Sequence, residues 1–219
     1  MHHETHAVIF DMDGVIIDSE PLWRKAMVMG FNGIGLNFSE DDCRKTTGMR
    51  LTEVIFYWQK LFPDKLECPE KLHHSIIHNL INLINQQGAP MPGLIDLLKH
   101  LQRHDLKIGL STSSDYILIE AVLNKLEIKY FFSEIISAQQ LRYGKPHPEV
   151  YLTCAEKLNV HPMDCLVIED SINGIISAKA AQMHVLAYPD KEHINNVKFQ
   201  LADSVIMHLS EAKNFILKS

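Results

Sequence analysis

What this 219-residue chain lacks narrows its possibilities before any motif is read. Its four cysteines, Cys43, Cys68, Cys154 and Cys165, lie far apart and form no Cys-x-x-Cys pair. That argues against a disulfide framework or a zinc finger and favours a reducing compartment. There is no run of Lys or Arg, and the formal net charge is −6, so the basic face of a nucleic-acid binder is missing. No apolar stretch is long enough to span a bilayer, and with the first strand-like run so near the N-terminus no secretory leader is expected. Internal repeats and low-complexity tracts are absent as well. What remains is 46% hydrophobic and 22% charged, the balance of a globular protein with apolar residues enough for a sizeable core. The expectation is a soluble, cytoplasmic monomer that engages neither nucleic acid nor membrane.

The apolar residues come in short, β-branched runs. Ala7-Val8-Ile9-Phe10 stops on Asp11 and does not alternate, as expected of a strand buried on both faces of a parallel sheet. Lys107 to Leu110 stops on Ser111-Thr112, Glu134 to Ile136 on Ser137, and Cys165 to Ile168 on Glu169-Asp170. His184 to Ala187 and Ser204 to Ile206 follow. Helical patterns separate these runs, over Leu94 to His104, Ile117 to Leu126, Pro148 to Leu158 and Ile172 to Ala181. Asp115 and Ser171 stand where N-caps are expected. Alternating strands and helices predict an α/β, Rossmann-like, doubly wound parallel sheet. One interval breaks the rhythm. About 90 residues separate Asp18 from Ser111, far more than a crossover helix needs. They carry helical patterns over Leu22 to Met29, Ser39 to Lys45, Thr52 to Leu61 and Pro69 to Asn85, with no strand among them. The expected organisation is a core domain of residues 1–18 and 89–219 with an inserted all-helical cap of residues 19–88.

Four polar groups follow predicted strands or their loops: Asp11 with Asp13, Ser111 to Ser114, Lys145, and Glu169 with Asp170. An open α/β sheet binds ligands outside the carboxyl ends of its strands, so all four gather at one edge. Gly14 permits a turn that aims Asp11 and Asp13 into one pocket. Carboxylates from two strand ends suit Mg²⁺, which prefers hard oxygen ligands and keeps waters or phosphate in its other positions. Without a cation they would repel one another, and a divalent ion with Lys145 removes that problem. Hydroxyls and backbone N–H groups at Thr112-Ser113-Ser114 suit a phosphoryl group. Each group also has a bland reading, respectively an acidic turn, a helix cap, a solvated lysine and a helix N-terminus. It is their convergence that makes a site.

Together these residues resemble the haloacid dehalogenase-like superfamily. Asp11-Met12-Asp13-Gly14-Val15, Thr112 after Ile108-Gly109-Leu110-Ser111, Gly144-Lys145-Pro146-His147-Pro148 and Glu169-Asp170-Ser171-Ile172-Asn173-Gly174 match its four motifs in order. The resemblance implies that Asp11 is a nucleophile forming an aspartyl-phosphate and Asp13 a general acid/base. It implies Mg²⁺ on Asp11, Asp170 and the backbone carbonyl of Asp13, with Glu169 binding directly or through water. Thr112, Ser113 and Lys145 would hold the phosphoryl oxygens. Asp13 and Glu169-Asp170 set the chain apart from the true dehalogenases, and Asp13 from the phosphonate-cleaving members. The stretch Asp18-Ser19-Glu20-Pro21-Leu22-Trp23 is similar to that of bacterial 2-deoxyglucose-6-phosphate and hexitol phosphate phosphatases. β-Phosphoglucomutase carries a His where Trp23 stands, and Trp cannot take the part of a titrating His.

The implied function is a Mg²⁺-dependent phosphatase of small sugar or sugar-alcohol phosphates. The alternative is a β-phosphoglucomutase-like phosphotransferase. Cap residues expected to meet the substrate are Glu20, Trp23 and Arg50, the last in Thr46-Thr47-Gly48-Met49-Arg50. Phe56-Tyr57-Trp58 with Leu61-Phe62 is expected in the cap core, and His73, His74 and His78 as solvated residues of a cap helix.

Overall fold

A computed structural model describes residues 4–46, 49–190 and 194–216. Six parallel strands form one sheet: β1 Ala7–Phe10, β2 Lys107–Thr112, β3 Glu134–Ser137, β4 Cys165–Glu169, β5 His184–Ala187 and β6 Ser204–Val205. Their order is β3-β2-β1-β4-β5-β6, so the chain reverses its direction of growth on either side of β1. This is the doubly wound arrangement expected above, and the crevice at the reversal is where such sheets bind ligands. The register pairs Phe10 with Leu110 on one side and Ile168 on the other. The carboxyl ends of three strands therefore lie side by side.

The non-alternating runs are explained by two cores, one on each face of the sheet. Val8, Phe10, Leu166 and Ile168 point into one, and Ala7, Ile9, Cys165 and Val167 into the other. On the first face packs α5, Leu94–Arg103, whose Leu94, Leu97, Leu98 and Leu101 form a fully buried stripe at helical spacing. With it lies α6, Tyr116–Leu126, through Leu118, Ile119, Val122 and Leu123. The second face takes α7, Glu149–Leu158, and α8, Ile172–Ala180. Ser171 caps α8 as expected, its hydroxyl accepting from the Gly174 N–H at 3.1 Å. Asp115 occupies the N-cap position of α6 but makes no capping hydrogen bond.

Between β1 and α5 the described residues form four α-helices and no strand: α1 Glu20–Gly33, α2 Glu40–Cys43, α3 Leu51–Leu61 and α4 Pro69–Gln87. The entry and exit of this helical insert are stitched together. The Asp18 N–H donates to Ala89 O at 3.2 Å, and the Met91 N–H to Ile16 O at 2.9 Å. Inside the insert Phe31 stacks on Phe38 with ring centroids 4.2 Å apart, and Trp58 meets Phe38 edge-on at 5.0 Å. Of the aromatic run on α3 only Trp58 is buried. Phe56, Tyr57, Leu61 and Phe62 are exposed, contrary to expectation. The inward stripe of α3 is set by Leu51, Val54, Ile55 and Trp58, and Phe56 and Tyr57 fall off it. Among the described residues no helix is long and apolar enough to cross a membrane.

Phe31 is fully buried in that aromatic cluster. Phe31→Ala is expected to cost about 3–5 kcal/mol of stability, read as a lower urea midpoint. A loss below about 1 kcal/mol would mean that the insert is not held by this core.

Candidate active site

Asp11 is the first residue beyond β1, and its N–H still donates to Ile168 O at 3.0 Å, continuing the β1–β4 ladder. The chain then turns sharply, with the Ile16 N–H donating to Met12 O at 2.8 Å and the Gly14 N–H to Ile17 O at 2.9 Å. Gly14 sits at φ +76°, and a Cβ there would strike the Asp170 carboxylate. Glycine at 14 thus serves both the turn and the close approach of an acid from the neighbouring strand end.

At the centre of the strand ends is Lys145. Its ammonium donates to Asp11 Oδ1 at 2.5 Å, to Glu169 Oε1 at 2.6 Å and to Ser111 O at 3.2 Å. Its side chain is only 3% exposed, and it stands over the Tyr151 ring at 4.9 Å. The two carboxylates hold the ammonium above its ordinary pKa, although burial pulls the other way. Glu169 is fully committed. Oε1 also accepts from the Tyr151 hydroxyl at 2.7 Å, and Oε2 accepts from Ser171 N–H at 2.9 Å and Ser171 Oγ–H at 3.0 Å. A Cβ at position 174 would collide with this carboxylate, so the first turn of α8 needs glycine there. Tyr151 was not singled out in the sequence. Its only signal was a hydroxyl on the otherwise apolar stripe Val150, Cys154, Ala155 and Leu158.

Asp13 faces the same chamber and accepts three hydrogen bonds. Ser19 Oγ and Trp23 Nε1 donate to Oδ1 at 2.5 and 2.8 Å, and Ser114 Oγ donates to Oδ2 at 2.7 Å. The donors come from three places: the entry to the insert, the insert helix α1, and the loop after β2. Trp23, expected to meet the substrate, lines the chamber but spends its indole N–H on Asp13. Ser19 and Ser114 had no distinguishing sequence signal as partners of Asp13.

The chamber itself, about 120 Å³, is walled on the core side by Asp11, Asp13, Thr112, Ser113, Ser114, Lys145 and Asp170. From the insert come Glu20, Trp23, Arg24, Met27, Arg44, Met49, Leu51 and Val54. Thr112 is buried, and Ser113 Oγ is buried with no hydrogen-bond partner, a donor and acceptor left for a ligand. Arg50 does not reach the chamber. Its Nε and Nη2 donate to Glu53 Oε1 at 2.9 and 2.5 Å, and its chain lies against Gly144. The insert guanidiniums that do reach the chamber are those of Arg24 and Arg44, which sequence reasoning missed. Thr47 and Gly48 of the same loop lie outside the described residues. His73 is not solvated as expected. Its Nε2 lies 3.1 Å from Asp115 Oδ2, joining α4 to the start of α6, which is where the expected cap residue sends its carboxylate.

Asp11, Glu169 and Asp170 each offer an oxygen, all within 4.8 Å of one another. Burial pushes the Asp11 carboxyl up to about 7, with Glu169 and Asp13 adding to the rise and Lys145 opposing it. Asp170 is raised well above the ordinary carboxylate range by burial and by Glu169, Asp11 and Glu20. One ammonium therefore serves too many acids, and a hard divalent cation among them returns them to their charged forms. The donors are all carboxylate oxygens, with no His or Cys among them, and they fit Mg²⁺.

A family model described as haloacid dehalogenase-like hydrolase matches residues 8–188. Hexitol phosphatase B of Escherichia coli is 35% identical over 94% of this chain and 93% of its own. A phosphorylated carbohydrates phosphatase of Thermotoga maritima is 32% identical over 80% of this chain and 81% of its own. Among solved structures, a putative β-phosphoglucomutase from Thermotoga maritima superposes with a TM-score of 0.76 at 27% identity, covering 97% of this chain and 98% of that one.

The raised Asp11 carboxyl makes a prediction for the metal-free protein. Unfolded, this acid loses its proton near 3.8; folded, near 7. Between these values the folded state keeps a proton that the unfolded state has lost, so stability falls as pH rises through the window. In EDTA, the melting temperature of the native protein relative to Asp11→Asn is expected to drop from pH 4 to pH 7, and saturating Mg²⁺ to flatten the drop. A difference that stays level or rises with pH in EDTA would contradict the assignment.

Proposed function

This chain belongs to the haloacid dehalogenase-like hydrolases and is a phosphoric monoester hydrolase, and within that family we propose that it is a Mg²⁺-dependent phosphatase of small sugar or sugar-alcohol phosphates. The observation that carries the reading is the buried ammonium of Lys145 fixed between Asp11 and Glu169 in the lining of the chamber between core and insert. Its relatives named as hexitol and carbohydrate phosphatases support the substrate class.

In this reading Asp11 attacks phosphorus. Lys145 holds its Oδ1 and so restricts rotation of the carboxylate, which favours in-line approach. The bond from phosphorus to the leaving oxygen breaks as that oxygen takes a proton from Asp13, and an aspartyl-phosphate remains on Asp11. Asp13, now ionised, takes a proton from a water whose oxygen attacks the same phosphorus. The P–O bond to Asp11 breaks, and inorganic phosphate leaves. Thr112, Ser113 and Lys145 donate to the transferring phosphoryl oxygens. Asp11, Asp170 and the backbone carbonyl of Asp13 would hold Mg²⁺, which neutralises charge on the phosphoryl group when bound. Glu169 takes part mainly by holding Lys145, since direct coordination would cost it one of four hydrogen bonds.

The clamp on Asp13 is part of this reading. Trp23 belongs to the insert, so one of the three donors that orient the proton-moving group is in place only while α1 lies over the core. The insert also excludes bulk water from the aspartyl-phosphate until the leaving alcohol has gone.

Phosphate release is the test, measured over a panel of sugar and polyol phosphates with and without Mg²⁺. Release is expected to require Mg²⁺ and to fall at least about 1000-fold in Asp11→Asn. Trp23→Phe keeps an aromatic side chain but removes the donor, and is expected to lower kcat about 10–100-fold with a smaller change in KM. Isomerisation of β-glucose 1-phosphate in place of release would overturn hydrolysis in favour of the phosphotransferase reading, to which the β-phosphoglucomutase likeness points.

A further inference from the structure

The insert wall of the chamber carries an unusual charge arrangement. Glu20 and Arg24 stand one turn apart on α1, on either side of Trp23, and both line the chamber. Arg24 Nη1 lies 3.5 Å from Glu20 Oε2, and Arg24 Nε lies 3.6 Å from Glu40 Oε2. One guanidinium is thus shared by two carboxylates. Arg44, the other insert cation at the chamber, lies 3.5 Å from Asp41 Oδ1. The core side adds Asp11, Asp13 and Asp170, whose charge is met by Lys145 and by the proposed metal. The insert therefore offers the leaving group no uncompensated positive charge. It does offer hydrogen-bonding capacity: Arg24 Nε is buried and donates no hydrogen bond.

We propose that Glu20, Arg24 and Glu40, whose charges leave no excess positive charge, form a filter that selects phosphate monoesters whose leaving group is uncharged and polyhydroxylated, and rejects those carrying a second anionic group. The inference rests on the phosphatase reading above and sharpens its substrate class. A hydroxyl is both donor and acceptor. Its oxygen takes a hydrogen bond from Arg24 while its proton goes to Glu20, so neighbouring hydroxyls satisfy both members of the pair. The C–H faces of such a chain pack on Met27 and Val54. A carboxylate or second phosphate in the same place competes with Glu20 and Glu40 for one guanidinium and meets the Glu20 charge at close range. Glu20 is partly shielded from water, so that repulsion weakens binding of a second anion. Bisphosphates are excluded by the same argument.

The experiment compares glucitol 6-phosphate with 6-phosphogluconate, which share a six-carbon hydroxylated chain and differ only in a terminal alcohol or carboxylate. An aryl phosphate, p-nitrophenyl phosphate, reports the phosphoryl-transfer chemistry without either recognition group. With Mg²⁺, the full chain is expected to favour the glucitol ester by at least about 100-fold in kcat/KM. Glu20→Gln removes one negative charge and is expected to narrow that preference by at least about tenfold, through tighter use of the gluconate ester. Arg24→Met is expected to raise KM for the glucitol ester by at least about tenfold. A merely structural role for either residue would lower all three substrates together and leave the ratio where it was. Equal use of the two esters by the native protein, or a ratio unmoved in Glu20→Gln, overturns the filter. Hydrolysis of the aryl phosphate with neither ester used also overturns it and leaves the phosphatase reading standing. No release from any of the three overturns both.

Discussion

A lysine ammonium cannot be buried without partners, and that constraint organises the strand ends of this protein. Removing Lys145 from water is tolerable only because Asp11, Glu169 and the Ser111 carbonyl surround it. Glu169 in turn, with no exposed surface, is held by Tyr151 on α7 and by Ser171 at the start of α8. Gly174 has no side chain because the Glu169 carboxylate fills the space. Strands β1, β2 and β4 and both helices of the second face are therefore tied to one charge. The consequence for function is preorganisation. The carboxylate proposed as nucleophile is oriented before substrate arrives, so little reorganisation is left for the reaction itself.

The helical insert contributes through a second constraint, centred on Asp13. Its two oxygens are held by donors from the core, from the insert's entry and from the insert itself. Placement of the proposed acid/base group thus depends on how the two parts meet. The chamber between them mixes apolar side chains on the insert side, such as Met27 and Val54, with charged groups that pair with one another. In the proposed reading the groups on the insert side both cover the reacting phosphoryl group and meet the leaving group, which links the chemistry to selection of the substrate.

Much of this was legible in the sequence, and the exceptions are instructive. A buried-strand run ending on an acid marked Asp11 and Glu169 because few reasons other than function put carboxylates at the end of a fully apolar strand. The uninterrupted helical patterns between Asp18 and Ser111 marked the insert for the same kind of reason. Arg50 was misjudged because a loop arginine near a predicted site has many possible partners, and the nearest, Glu53, lay only three residues on and captured it. Phe56 and Tyr57 were assigned to a core by their apolar character, whereas helical phase turned them to solvent. Trp23 was expected to meet the substrate, and that expectation did not reveal that its indole N–H donates to Asp13. Arg24 gave no signal, since a lone arginine on an amphipathic helix is usually solvated.

The sequence by itself determined the order and type of the elements, the doubly wound sheet and the identity of the acids at its edge. These follow from local rules, namely the steric preferences of β-branched runs, the 3.6-residue period of helices and the turn that only glycine makes easily. Tertiary structure alone decided which polar side chains meet. Ser114 finds Asp13 across 101 residues of chain, and Lys145 finds Asp11 across 134. Such pairs depend on parallel register bringing strand ends level and on the insert folding back over them. A hydrogen bond is lost within a few tenths of an ångström beyond about 3 Å, a tolerance that composition and periodicity do not encode.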